Sequence, residues 1–114
     1  MILLATGSEV QLALAARKAL AAGNIDARVV SMPSWELFRE QPREYRDRVL
    51  PPAVTARLAV EAGASMGWRE WVGDRGGVLA LDRFGASAPA GELFKQFGFT
   101  VENVVARAME ILGR

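Results

Sequence analysis

Short apolar runs alternate along the chain with longer stretches that carry helical signals. The apolar runs are typical of strands buried on both faces of a sheet, and they cover 2–6, 27–31, 55–60 and 78–81. The stretches predicted to be helical cover 9–22, 35–40, 42–49, 65–72, 89–97 and 101–112. This alternation predicts four parallel strands joined by helical crossovers, in a three-layer α/β/α domain.

Several helix ends carry recognisable signals. Ser8 and Gln11 have the spacing of a capping box, in which each side chain satisfies a backbone N–H of the other residue. Ser34 and Thr100 are predicted to cap the helices that follow them, and Gly23 is predicted to end the first helix in the left-handed conformation. The last helix has the clearest amphipathic stripe, formed by Val101, Val104, Val105, Ala108, Ile111 and Leu112.

Composition narrows the function classes. The 114 residues predict a single domain with a real core, and a net charge of +1 gives no excess positive field for nucleic acid. The chain has no cysteine and no histidine, which excludes disulfides, thiol nucleophiles, Ser-His-Asp chemistry and nearly every zinc site. These absences argue against a self-contained enzyme. With no charged leader and no apolar run long enough to span a bilayer, we expect a cytoplasmic protein without membrane contact.

Two turns could bind a ligand. The Thr6-Gly7-Ser8 turn places backbone N–H groups at a helix N-terminus, where a phosphate or carboxylate can bind. Glu9 in the first turn would repel such an anion, so an ordinary capped turn is the favoured interpretation. In the second turn, Ser87 could contact a ligand, cap the helix that follows or pack closely against another domain.

Three further features have a functional and a structural interpretation. Trp68 and Trp71, one helical turn apart, could stack on a ring, but such a pair more often covers the core or meets a partner. Glu61 follows a buried strand, where its pKa could be raised, although an ion pair with an arginine is favoured. The charged run that ends at Arg48 is predicted to be a solvated helix face with pairs such as Glu44–Arg48.

Five sequence blocks, in order and spacing, resemble the C-terminal domain of transketolase over essentially the whole chain. They cover 5–10, 29–33, 60–63, 84–89 and 97–104. The resemblance implies a homodimeric transferase of the pentose phosphate pathway that uses thiamine diphosphate and a divalent cation, Mg²⁺ or Ca²⁺. In that family, two preceding domains supply the residues that bind the cofactor and the residues that catalyse the reaction. The C-terminal domain supplies neither.

The resemblance therefore implies that this chain is non-catalytic and binds no cofactor or metal. Its implied role is to support the other transketolase domains and the second subunit structurally. By itself, the chain is expected to be inactive. Residues 1–114 are expected to be one domain of a longer protein, without the two cofactor-binding domains and without an antiparallel edge strand. Loss of that strand is expected to leave the second strand open to self-association. Two alternatives stay open, a regulatory ligand-binding module and the equivalent domain of another thiamine-dependent enzyme.

The resemblance also implies the strand order 2-1-3-4, which reverses between the first and third strands. Open α/β sheets bind ligands at such a point. The candidate regulatory crevice there is formed by Thr6, Gly7, Ser8, Glu61 and Gly63. A candidate domain-contact loop is formed by Phe84, Gly85, Ser87 and Pro89.

Overall fold

A computed structural model describes residues 1–7, 9–61, 67–80 and 100–113. Its strands are β1 (Ile2–Ala5), β2 (Arg28–Ser31), β3 (Arg57–Glu61) and β4 (Gly77–Ala80). Its helices are α1 (Glu9–Ala22), α2 (Trp35–Arg39), α3 (Arg43–Val49), α4 (Arg69–Val72) and α5 (Val101–Leu112). For most of the strand and helix ends that the structure describes, the predicted position is confirmed to within two residues. The third strand, predicted to begin at 55, begins at Arg57. The predicted helix over 89–97 lies outside the described residues.

The four strands form one sheet in the order β2-β1-β3-β4. Every pairing in the sheet is parallel, and β1 contacts β2 on one side and β3 on the other. All four residues of β1 are buried, as the uninterrupted apolar run predicts for a central parallel strand. The three-layer α/β/α class and the strand order are therefore confirmed.

Alternate side chains of β1 enter two cores, one on each face of the sheet. Leu3 and Ala5 face the core that is covered by α1 and α5. Ile2 and Leu4 face the second core, which is covered by the segments between β2 and β4. The stripe predicted on α5 is confirmed: Val104 and Ala108 are buried, and the other four residues pack against the first core.

The predicted caps are confirmed where the structure describes them. The Ser34 hydroxyl accepts a hydrogen bond from the Leu37 N–H at 3.3 Å, and Thr100 accepts one from the Asn103 N–H at 3.2 Å. The prediction for Gly23 is wrong, because the left-handed residue after α1 is Asn24, with a φ of 63°. Asparagine tolerates this conformation because its short side chain can hydrogen-bond locally. The predicted capping box depends on Ser8, which lies outside the described residues.

An aromatic cluster fills much of the second core. Trp35 meets Trp68 edge-on, with ring centroids 5.0 Å apart, and Phe38 meets Trp71 in the same way at 5.3 Å. Gly67 lies against this cluster with a φ of 90°, and a Cβ added there would fall 2.5 Å from Cζ3 of Trp35. This position therefore requires glycine for its conformation and for its space.

Arg57, at the start of β3, hydrogen-bonds to the chain segments that lie at the amino ends of the strands. Its guanidinium donates to the carbonyl oxygens of Val54 at 2.9 Å, Trp71 at 2.7 Å, Pro51 at 2.9 Å and Leu50 at 3.2 Å. Burial lowers the pKa of Arg57, because the charged guanidinium has lost part of its hydration. The dipoles of these carbonyl groups compensate the charge. The guanidinium is rigid and has five N–H donors, so it can donate to several carbonyl oxygens at once.

The predicted pairing along α3 is wrong in its partners. The ion pair on this helix joins Arg43 to Asp47 at 3.7 Å, in place of the expected Glu44–Arg48 pair. Both arrangements have the i,i+4 spacing, and the exposed helix surface lets charged side chains choose among neighbours at little cost. A stronger pair joins α2 to α4, where Arg39 donates twice to Glu70, at 2.6 Å and 2.8 Å.

Candidate functional site

Two polar side chains meet where the strand order reverses. Ala5 of β1 is in register with Val60 of β3, so the next residues along the two strands, Thr6 and Glu61, are neighbours. The Thr6 hydroxyl donates a hydrogen bond to Oε2 of Glu61 at 2.7 Å. The parallel register thus brings together two residues that are 55 positions apart in the sequence.

The turn from β1 into α1 directly follows Thr6, but Gly7 and Glu9 are not among the described residues that line the cleft beside Thr6 and Glu61. Gly7 has a φ of 56°, a left-handed conformation that suits glycine. The Thr6 carbonyl accepts from the Glu9 N–H, and the Gly7 carbonyl accepts from the Val10 N–H. Glu9 is only 6% exposed, and its carboxylate lies at the amino end of α1, where the helix dipole favours negative charge. The turn therefore carries its own anion, which disfavours binding of another one.

One wall of that cleft comes from the residues that follow β2. Met32, Pro33 and Ser34 lead from the strand into α2, and the first helical residues, Trp35 and Glu36, continue the wall. Together with Thr6, Glu61 and Trp68, they line an open cleft of about 450 Å³. The carboxyl ends of three adjacent strands therefore open into one cleft.

Sequence reasoning missed the wall that follows β2. The signal for it was present, because parallel strands end at the same edge of a sheet and Met32–Glu36 directly follow β2. In the sequence, 29–33 contributed to the family resemblance and Ser34 was predicted to cap a helix, but neither was predicted to line a cleft. The Ser34 hydroxyl does cap α2, and the same residue also lines the cleft.

The cleft is acidic. Among the described residues that line it, Glu36 and Glu61 are the ionisable ones. A phosphate group in this cleft would meet two carboxylates and no lysine or arginine among the described residues that line it.

The other predicted site residues have different outcomes. Trp68 and Trp71 are buried in the second core, so the core interpretation is confirmed and a stacking role on an external ring is not supported. The Glu61 carboxylate accepts the Thr6 hydroxyl, a partner that was not predicted for it. The residues that lie outside the described part of the chain are Ser8, Gly63, Phe84, Gly85, Ser87 and Pro89.

The residues that the structure describes do not fit thiamine diphosphate with its divalent cation. Within 1–7, 9–61, 67–80 and 100–113, no three residues of the types His, Cys, Asp and Glu are grouped so that they could hold a metal ion. The diphosphate would also be repelled by Glu36 and Glu61 in the cleft at the strand ends. Within the same described segments, no helix is long and apolar enough to cross a membrane.

The parallel sheet, its order and the cleft at its carboxyl edge define an α/β domain of the doubly wound class. Residues 1–100 match the family model described as the transketolase-like TK C-terminal domain. The chain belongs to this family.

Known relatives and solved structures agree with this assignment. The chain is 59% identical over 113 residues to the transketolase of Geobacillus stearothermophilus, covering 99% of this chain and 17% of that protein. It is 55% identical over 112 residues to transketolase 1 of Escherichia coli, covering 98% of this chain and 17% of that protein. A solved transketolase from Leishmania mexicana superposes with a TM-score of 0.87 at 48% identity, covering 96% of this chain and 16% of the solved one. The chain thus spans about a sixth of the length of these relatives.

Proposed function

We propose that this chain serves as the C-terminal domain of a transketolase subunit and acts there as a structural support rather than as a catalyst. The observation that carries this proposal is the alignment: almost the whole chain matches at 59% identity, yet it accounts for only 17% of the relative. The residues that perform ketol transfer would then lie in the remainder of the enzyme. This chain would contribute no catalytic, cofactor-binding or metal-binding residue.

Its packing supports a structural role. The sheet is covered on both faces by separate apolar cores, so the domain has a rigid frame of its own. Around α2 and α3, Leu37 is 62% exposed and Tyr45 is 44% exposed. Together with Phe38, these side chains form an apolar surface beside the open edge of β2. Such a surface suits burial against other parts of a larger protein.

The proposed partners are the other transketolase domains and a second subunit in a homodimer. The proposed parent enzyme binds thiamine diphosphate and Mg²⁺ or Ca²⁺ outside this chain and moves two-carbon units between sugar phosphates. We expect a cytoplasmic location and no nucleic-acid partner, in keeping with a net charge of +1.

The rival assignment to another thiamine-dependent enzyme is less well supported. The relatives and the solved structure named above are transketolases, and they cover almost the whole chain. The equivalent domain of a dihydroxyacetone synthase or a pyruvate dehydrogenase beta subunit would be expected to align better with those enzymes.

The direct test is an assay of the purified chain by itself. Xylulose 5-phosphate and ribose 5-phosphate are supplied with thiamine diphosphate and Mg²⁺, and intact Escherichia coli transketolase is the positive control. We expect no rate above background and no retention of thiamine diphosphate in equilibrium dialysis. Turnover by the chain alone, or stoichiometric retention of the cofactor, would overturn the proposal.

A further inference from the structure

We draw no further inference here: the strongest candidate, the apolar groove that Leu37, Phe38 and Tyr45 form beside β2 at the edge of the sheet, carries none because nothing in the structure shows what covers it.

Discussion

Replacement of Arg57 by methionine should destabilise the domain more than loss of any other single charge on its described surface. The substitution keeps an unbranched apolar stem but removes donors to four carbonyl oxygens, on Leu50, Pro51, Val54 and Trp71. A net contribution of about 0.5–1 kcal/mol for each bond gives a total of about 2–4 kcal/mol. The dehydration that lowers the Arg57 pKa offsets part of this gain, so we expect a loss of about 2–3 kcal/mol.

The measurement is urea unfolding followed by tryptophan fluorescence, because two of the three tryptophans are buried in the core that Arg57 borders. A loss of this size should lower the midpoint by about 1–2 M urea. Arg57→Lys should recover less than half of the loss, since one ammonium group cannot reach four carbonyls spread over two segments. Arg43→Met is the control: its side chain is 85% exposed, and we expect a loss below about 0.5 kcal/mol. Equal stability of the Arg57→Met and Arg43→Met variants would refute the reasoning.

Three further predictions concern other parts of the fold. Gly67→Ala should cost about 2–4 kcal/mol, because it adds a clash with an indole ring to backbone strain. Gly113→Ala is the control: this residue is left-handed, with a φ of 75° and a ψ of 30°, and has open space around its Cβ, so the change should cost only about 1 kcal/mol in the same assay. The hydrogen bond from Arg39 lowers the pKa of Glu70 below its usual 4.5. The ionised carboxylate therefore stabilises the fold above pH 4.5, and this stabilisation is lost as the pH falls through the pKa of Glu70 in the folded state. A Glu70→Gln variant should thus melt slightly below the parent at pH 7 and match it at pH 2, and a gap that persists at pH 2 would contradict the ion-pair account. Finally, the chain should associate through β2 as its concentration rises, and Ser31→Pro should suppress this association in sedimentation equilibrium; association that survives the substitution would assign it to another surface.

The choice of Ser31 for that variant follows from the hydrogen bonds of the sheet. The N–H groups of Arg28 and Met32 donate to β1, so the alternating pattern of a strand turns those of Val29 and Ser31 toward the open edge. Proline at position 31 removes an outward donor and leaves the bonds to β1 in place.

Local signals predicted most of the fold. The apolar run of β1 predicts a strand buried on both faces, and the serine and threonine caps predict the starts of α2 and α5, because each depends on interactions within a few residues. The predicted end of α1 at Ala22 is confirmed, but the left-handed residue after it is Asn24 in place of Gly23, since either residue type can adopt this conformation. The partners of exposed charges on α3 were missed because their energies differ too little for sequence spacing to decide.

The cleft was predictable only in part. The resemblance implied the strand order, and that order brings Thr6 and Glu61 to one point. The wall formed by Met32–Glu36 depends on how the chain turns after β2 and packs against Trp68, a tertiary contact that no local pattern specifies. The four carbonyl acceptors of Arg57 could not be predicted from a local pattern either, because they come from two segments that are distant from each other in the sequence.

The most direct test of the structural role is a chimera of the Geobacillus stearothermophilus transketolase in which this chain replaces the matching 113 residues. The chimera is compared with the parent and with a variant that lacks this segment, by ketol-transfer rate and by subunit mass in sedimentation. If this chain supports the rest of the enzyme without taking part in chemistry, the chimera will keep the parent's subunit mass and a rate of the same order, while the deletion variant will lose stability and assembly. A deletion variant that keeps the parent's subunit assembly and stability would contradict the account.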